Sequence, residues 1–309
     1  MPFREVKKGD KPKIVDKSKP SAHDLEPPTK QGLQLSSPAI LSLGFLALIV
    51  IGTVLLSLPI ATIQPISILA AAFTATSAVT VTGLNVVDTA NYTTFGQLVI
   101  AALIQFGGLG FMTFAILVLT SLQGKMGLSG SITAQEALGT HSNQIGSTAK
   151  AVIKIAFLTE SLGFFWLTLL LAPLKGLKDA MYEAFFLCIS AFNNAGFALN
   201  GNNMTAYVHQ PMISFIISLL IITGGIGFLV ILDIIKHKRW QKFTLHTKVM
   251  VLGTLALNII GCILYWLLER HNAKTIGGLS EAGQWFASWF MAVTSRTAGF
   301  NKVDYRRGT

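Results

Sequence analysis

Three short stretches of this sequence share a pattern suited to holding a cation stripped of its water. They are Ser77-Ala78-Val79-Thr80-Val81-Thr82-Gly83-Leu84, Ser190-Ala191-Phe192-Asn193-Asn194-Ala195-Gly196-Phe197 and Val293-Thr294-Ser295-Arg296-Thr297-Ala298-Gly299-Phe300. They superpose on their glycines, which are 113 and 103 residues apart, and an aromatic residue stands ten positions before each: Phe73, Phe186 and Trp289. A dehydrated potassium ion needs several oxygens at close range. Extended backbone leaving a short helix can supply a row of carbonyls, and glycine permits the dihedrals that turn successive carbonyls to one side. The C-terminal end of the helix is the negative end of its dipole and favours a cation. Rings of backbone carbonyls are a known device for potassium selectivity. The candidate coordinating backbone is therefore Thr80, Val81, Thr82 and Gly83; Asn193, Asn194, Ala195 and Gly196; and Arg296, Thr297, Ala298 and Gly299. Glycine after small residues is common, so one such loop would mean little; three in register, each after a half-length helix, is a different matter.

The elements that must position these loops are legible in the hydropathy. Each loop follows a short apolar segment, at residues 66–79, 178–192 and 281–294. A helix of about 14 residues covers about 21 Å, too little to cross about 30 Å of hydrocarbon. Backbone that enters a membrane half-way and returns is tolerated only where protein buries it or a watery cavity receives it. Between these segments lie five stretches long enough to span: 38–61, 95–122, 151–172, 211–236 and 247–269. The expectation is an all-α integral-membrane fold of repeated helix–pore helix–filter loop–helix units. A basic cytosolic tail (1–37) precedes a first repeat (38–122), a second (150–236) and an incomplete third (247–309).

Composition supports a membrane protein and excludes other classes. Hydrophobic residues make up 51% of the chain and charged residues 12%, about half the usual charged share of a soluble domain. Residues 31–87, 89–124 and 184–232 contain no Asp, Glu, Lys or Arg. The net charge of +10 does not indicate nucleic acid, because the excess lies beside the apolar segments, where the positive-inside rule expects it. The tail carries eight Lys and Arg, residues 236–248 carry Lys236, Lys238, Arg239, Lys242 and Lys248 without an acid, and residues 123–150 are weakly basic through Lys125 and Lys150 against Glu136. These three regions are expected in the cytoplasm, with residues 84–94, 197–210 and 270–280 outside. Cys188 and Cys262 read as small buried hydrophobes. The six histidines form no metal-binding pattern, and no P-loop, G-x-S-x-G or H-E-x-x-H motif marks an enzyme.

A second repeat accompanies the first. Gly107-Gly108-Leu109-Gly110-Phe111 and Gly224-Gly225-Ile226-Gly227-Phe228 follow their loop glycines by 24 and 28 residues. Both are expected inside continuous helices, where small residues allow close packing; neither completes a dinucleotide fingerprint. With these motifs in view, the sequence resembles the Ktr/Trk/HKT superfamily of potassium transporters, and most of all the bacterial Ktr-type membrane subunit. The residues that carry the resemblance are Thr80-Val81-Thr82-Gly83-Leu84, Ala191 to Phe197, Thr297 to Asn301, Gln105 to Phe114, the second Gly-Gly-x-Gly-Phe and Thr244-Leu245-His246-Thr247-Lys248. The resemblance covers residues 38–305. It implies K+ as the transported ion, uptake that can depend on Na+, and four repeats around a pseudo-fourfold pore in the cell membrane. It also implies a homodimer and a cytosolic nucleotide-binding regulatory ring, with no nucleotide on this chain. The third repeat's closing helix and the fourth repeat lie beyond Thr309 in that pattern, so the chain reads as part of a longer one.

Two charged residues stay open on sequence alone. Glu160 stands in the middle of an apolar helix, where a carboxylate is either functional or paired with a filter-region cation or backbone donors; Lys154 is not at a helical contact spacing from it. Arg296, beside the third glycine, either braces the loop or tunes its field. Asp233 reads as interfacial. The competing function is a secondary transporter for another small cation, whose mark would be broken full-length helices.

Overall fold

The computed structural model describes residues 37–123, 145–201 and 203–302; the tail before Ser37 and the charged positions Lys125 and Glu136 lie outside them. Nine α-helices make up the described residues: α1 (Ser37–Leu56), α2 (Ile68–Val79), α3 (Thr94–Gln123), α4 (Ile145–Lys175), α5 (Leu177–Phe192), α6 (Pro211–Gly225), α7 (Phe228–His237), α8 (Leu245–Glu269) and α9 (Glu281–Thr297). The only strand-like pairing among them is one antiparallel bridge, Thr62 with Tyr92.

Length separates two kinds of helix. α3, α4 and α8 have 30, 31 and 25 residues, enough to cross a bilayer at about 1.5 Å per residue. α2, α5 and α9 have 12, 16 and 17 and fall short. α2 starts at Ile68 because Ser67 caps it, its hydroxyl accepting from the Ala70 amide at 3.2 Å. Outward faces are apolar: Val54, Phe157, Leu162, Leu252 and Leu268 are each more than half exposed. A soluble surface would not present so continuous a patch, and hydrocarbon is its natural solvent. Inside, two main clusters form. One gathers Leu167, Leu187, Ile217, Leu220 and Phe290 around α4, α5, α6 and α9; the other gathers Leu56, Ala75, Ile100, Ile104 and Phe197 around α1, α2, α3 and the segment after α5. The short helices are therefore the buried ones, with Ala71, Ala75, Ala78, Ala184, Leu187 and Ala191 all at 0% exposure.

One expectation fails. Residues 211–236 do not form a single spanning helix. α6 ends at Gly225, α7 begins at Phe228, and the two are bent by 93°. Gly227 between them has φ +97°, a region open to glycine and costly to other residues. The bend is stitched on its far side by Asp233. That carboxylate accepts from the Thr244 amide (2.9 Å) and hydroxyl (3.0 Å), and its other oxygen lies 2.6 Å from His237 Nδ1. Thr244 in turn caps α8, accepting from the Thr247 amide at 3.3 Å. Asp233 thus ties α7 to the start of α8 and is more than an interfacial charge.

Candidate functional site

The first two loops leave their helices in the same way. Thr80 and Asn193 cap α2 and α5 with φ/ψ of −86°/0° and −79°/0°. The next residues, Val81 and Asn194, are left-handed at φ 57° and 59°, and the glycines Gly83 and Gly196 are left-handed again at 73° and 72°. The backbone bonds match: Thr82 N donates to Ser77 O (3.0 Å) and Val81 N to Ala78 O (3.3 Å), while Ala195 N donates to Ser190 O (2.7 Å) and Asn194 N to Ala191 O (3.1 Å). This is the usual way of ending a helix on a left-handed residue, except that the residue is glycine in most proteins. A β-branched valine there costs about 1–2 kcal/mol and is held by its surroundings; such strain collects at functional sites.

The third loop departs from the pattern. α9 continues to Thr297, so Arg296 and Thr297 lie in its last helical turn and not in extended backbone; this corrects their assignment to a loop row. Ala298 N and Gly299 N both donate to Thr294 O, at 3.0 and 3.2 Å. The Thr294 hydroxyl then clips the chain beyond the glycine: it accepts from Phe300 N at 2.8 Å and donates to Phe300 O at 3.0 Å. Only Gly299 is left-handed, at φ 70°. Arg296 is half-buried there. The three preceding aromatics also differ: Phe73 is 41% exposed, Phe186 is buried and Trp289 is partly buried against the core.

The glycines nevertheless stand in sequence around the site. A Cβ added to Gly83 would collide with the carbonyl oxygen of Ala195, and one added to Gly196 would collide with that of Ala298. Each collision is with the residue just before the next loop's glycine. At Gly299 nothing among the described residues lies within 4 Å in that direction. Thr80, Val81, Asn193, Asn194 and Thr297, from all three loops, line one chamber of about 500 Å³ together with Gly107, Gly108, Gly224 and Gly225.

The Gly-Gly-x-Gly-Phe motifs form the supporting wall. A Cβ on Gly107 would collide with the carbonyl of Val79, and one on Gly224 with that of Phe192. These are the last carbonyls of α2 and α5, so small residues here let two backbones meet. Asn194 links wall and loops. Its amide satisfies its neighbours with Nδ2 donating to Thr297 Oγ1 (3.0 Å) and Ile221 O (3.3 Å), and Oδ1 accepting from the Gly225 amide (3.3 Å). Asn193 reaches the other way, donating to Gln105 Oε1 at 2.8 Å, and Gln105 donates to Glu160 Oε2 at 3.1 Å.

The face opposite the chamber is fixed by residues that no spacing singled out. Asn203 Nδ2 donates to Gly196 O (3.1 Å) and Asn203 Oδ1 accepts from Asn301 N (3.3 Å), bridging the second and third loops. Behind them Glu183, 4% exposed, accepts from Lys175 (2.6 Å), Asn200 (2.9 Å) and Tyr207 (2.6 Å). A buried carboxylate is tolerable when it is paired and fully hydrogen-bonded. The only signal in the sequence was a lone acid at the edge of a charge-free stretch, and its partners come from three separate segments.

A family model described as TrkH, cation transport protein, matches residues 34–307. Ktr system potassium uptake protein B of Bacillus subtilis (strain 168) is 46% identical over 285 residues, covering 90% of this chain and 63% of that protein. The protein of the same name from Vibrio alginolyticus is 41% identical, covering 88% and 61%. Potassium/sodium uptake protein NtpJ of Enterococcus hirae is 36% identical, covering 88% and 61%. The crystal structure of the potassium transporter TrkH from Vibrio parahaemolyticus superposes with a TM-score of 0.60 at 19% identity, over 88% of this chain and 53% of that one, a likeness of fold. The chain thus spans somewhat over three-fifths of the length of these curated relatives.

Proposed function

The chain belongs to the TrkH family of cation transport proteins, and from that premise we propose that it forms part of a potassium uptake pathway whose selective element is the backbone around Gly83, Gly196 and Gly299. The observation that carries the proposal is the succession of glycine and carbonyl: Gly83 against Ala195 O, Gly196 against Ala298 O. Loops that meet this closely present their carbonyls to a shared space, and the C-terminal ends of α2, α5 and α9 add their negative dipole ends. Val79, Phe192 and Thr297 end three helices too short to cross, which supports reading them as pore helices in repeated units. The open side of Gly299 is where a further loop of a pseudo-fourfold pore would stand. Ions enter from the side of residues 84–94 and 197–210, with the N-terminus and residues 237–246 in the cytoplasm.

Uptake measured in a potassium-transport-deficient host tests this. Gly196→Ser adds a Cβ that meets Ala298 O and is strained at φ 72°. The expected result is a potassium-over-sodium preference lower by about tenfold, the effect of 1.4 kcal/mol, at matched protein levels. Wild-type preference in Gly196→Ser would overturn the filter assignment. Repeating the assay without sodium separates channel-like flow from sodium-coupled entry.

A homodimer with a cytosolic nucleotide-binding ring is the assembly we infer for it. Lys236, Lys238, Arg239 and Lys242 are exposed at the turn between α7 and α8, and they offer that ring a basic surface. Reversing the charge of Lys238, Arg239 and Lys242 is expected to weaken co-purification of the ring, and undiminished co-purification would discard this surface.

The bend between α6 and α7 supports a second reading, a secondary transporter for another small cation, since such proteins bind ions at broken helices. The chamber argues against it: the break contributes Gly225 and Phe228 to the wall, while its polar side chains, Thr80, Asn193, Asn194 and Thr297, come from the ends of the short helices and the loops after them.

A further inference from the structure

The second loop is held from behind by a chain of hydrogen bonds that crosses three helices. Asn193, its first residue, donates both amide hydrogens, to Ile189 O at 2.9 Å and to Gln105 Oε1 at 2.8 Å. Gln105 on α3 donates to Glu160 Oε2 on α4 at 3.1 Å. At the matching place in the first loop, Thr80 turns back to its own helix and donates to Thr76 O at 2.7 Å. Glu160 is 8% exposed and borders an apolar cleft of about 420 Å³ with Gln105, Phe106, Phe157 and Phe185. Water is not at hand there to replace a lost bond, so each link is expensive to break.

The chain has a direction. Gln105 can offer its carbonyl to Asn193 only if its NH2 points the other way, and Glu160 is the acceptor that meets that NH2. Without an acceptor at 160, the Gln105 amide is free to turn and set donor against donor at Asn193. The opposite side of Asn193 is closed: its Oδ1 stands where a Cβ on Gly108 would be. A displaced Asn193 therefore carries Asn194 and Gly196 with it.

We propose that Glu160 and Gln105 are positioning residues for the second loop, with Glu160 acting as a hydrogen-bond acceptor and not as a charge in the ion's field. The proposal rests on the reading of that loop as ion-coordinating. It makes a sharp distinction between two substitutions at one position. Glu160→Gln removes the charge and keeps an acceptor oxygen; Glu160→Leu removes both.

Potassium and sodium uptake by matched amounts of protein, with KM and maximal rate separated, tests it. Glu160→Leu and Gln105→Leu are each expected to raise KM for potassium or lower the preference over sodium by about tenfold, with maximal rate within about twofold. The double variant is expected to be no worse than either single one, because the two residues act through one bond chain. Glu160→Gln is expected to stay within about twofold of wild type. The proposal is overturned if Glu160→Gln is as impaired as Glu160→Leu, which would assign the role to charge, or if the double variant shows the product of the single effects. Should both leucine variants fail to fold, Glu160→Gln still decides between acceptor and charge. A wild-type protein that takes up no potassium would instead sink the function proposed above, so the two failures are distinguishable.

Discussion

Two copies of one glycine motif meet different fates in this molecule. Gly107-Gly108-Leu109-Gly110 stays inside the continuous helix α3, whereas Gly224-Gly225-Ile226-Gly227 breaks α6 from α7 with a bend of 93°. Their first glycines do the same work, letting the helix backbone press on the last carbonyl of the preceding short helix, Val79 or Phe192. Their last glycines do not: among the described residues nothing crowds either Gly110 or Gly227, but only Gly227 takes a positive φ. The second loop places Asn194 beside the second motif, where it receives the Gly225 amide; at the matching place in the first loop stands Val81, which has no such group to offer. Glycine permits a break at either motif, and the bend at Gly227 goes with the Asn194 contact to Gly225. Sharp kinks usually have such a local cause.

The comparison can be broken at its shared half first, where the largest effect lies. Gly107→Ala and Gly224→Ala each drive a Cβ into a backbone carbonyl, and overpacking of this kind costs about 1–3 kcal/mol, the upper end where the neighbour is backbone that cannot turn aside. Both are expected to lose most folded protein in a detergent size-exclusion assay. Tolerance of either would show that the wall is not as tight as its contacts suggest. Next comes the half that differs. Gly227→Ala meets no neighbour but is forced to φ +97°, at about 1–3 kcal/mol. Gly110→Ala also meets no neighbour and sits in a helix, where alanine is favoured by about 1 kcal/mol. Thermal unfolding is expected to move down for the first and up or not at all for the second; equal shifts would remove backbone conformation as the difference between the motifs. The smallest effect is expected at Asn194. Asn194→Val makes the second loop resemble the first and leaves the Gly225 amide without its acceptor, a loss of about 1 kcal/mol. Gly227→Ala in that background is expected to cost less than in the wild type. Strict additivity would mean that Asn194 does not hold the bend.

Much of the backbone around the candidate loops could be read in advance because its signals are local. A glycine ten positions after an aromatic residue, a helix too short to cross, and long stretches without charge are all properties of nearby residues. The loop glycines Gly83, Gly196 and Gly299, and the starts and ends of the short helices, follow from them to within a few residues. The exit of the third loop did not. Thr294 stands where the other two loops have Ala78 and Ala191, and Thr297 where they have Val81 and Asn194; Thr294 clips Phe300 and Thr297 meets Asn194, and the helix runs on through Arg296.

What the sequence determined by itself is the class of protein: long apolar stretches and missing charges fix that the chain must meet a membrane, because the cost of placing a polar group in hydrocarbon arises residue by residue. Only the tertiary structure decided which polar groups find one another. Glu183 with Lys175, Asn200 and Tyr207, Glu160 with Gln105 and Asn193, and Asn194 with Gly225 join residues from separate segments. Their bonds depend on distances of about 3 Å, and no spacing along the chain encodes a distance across it.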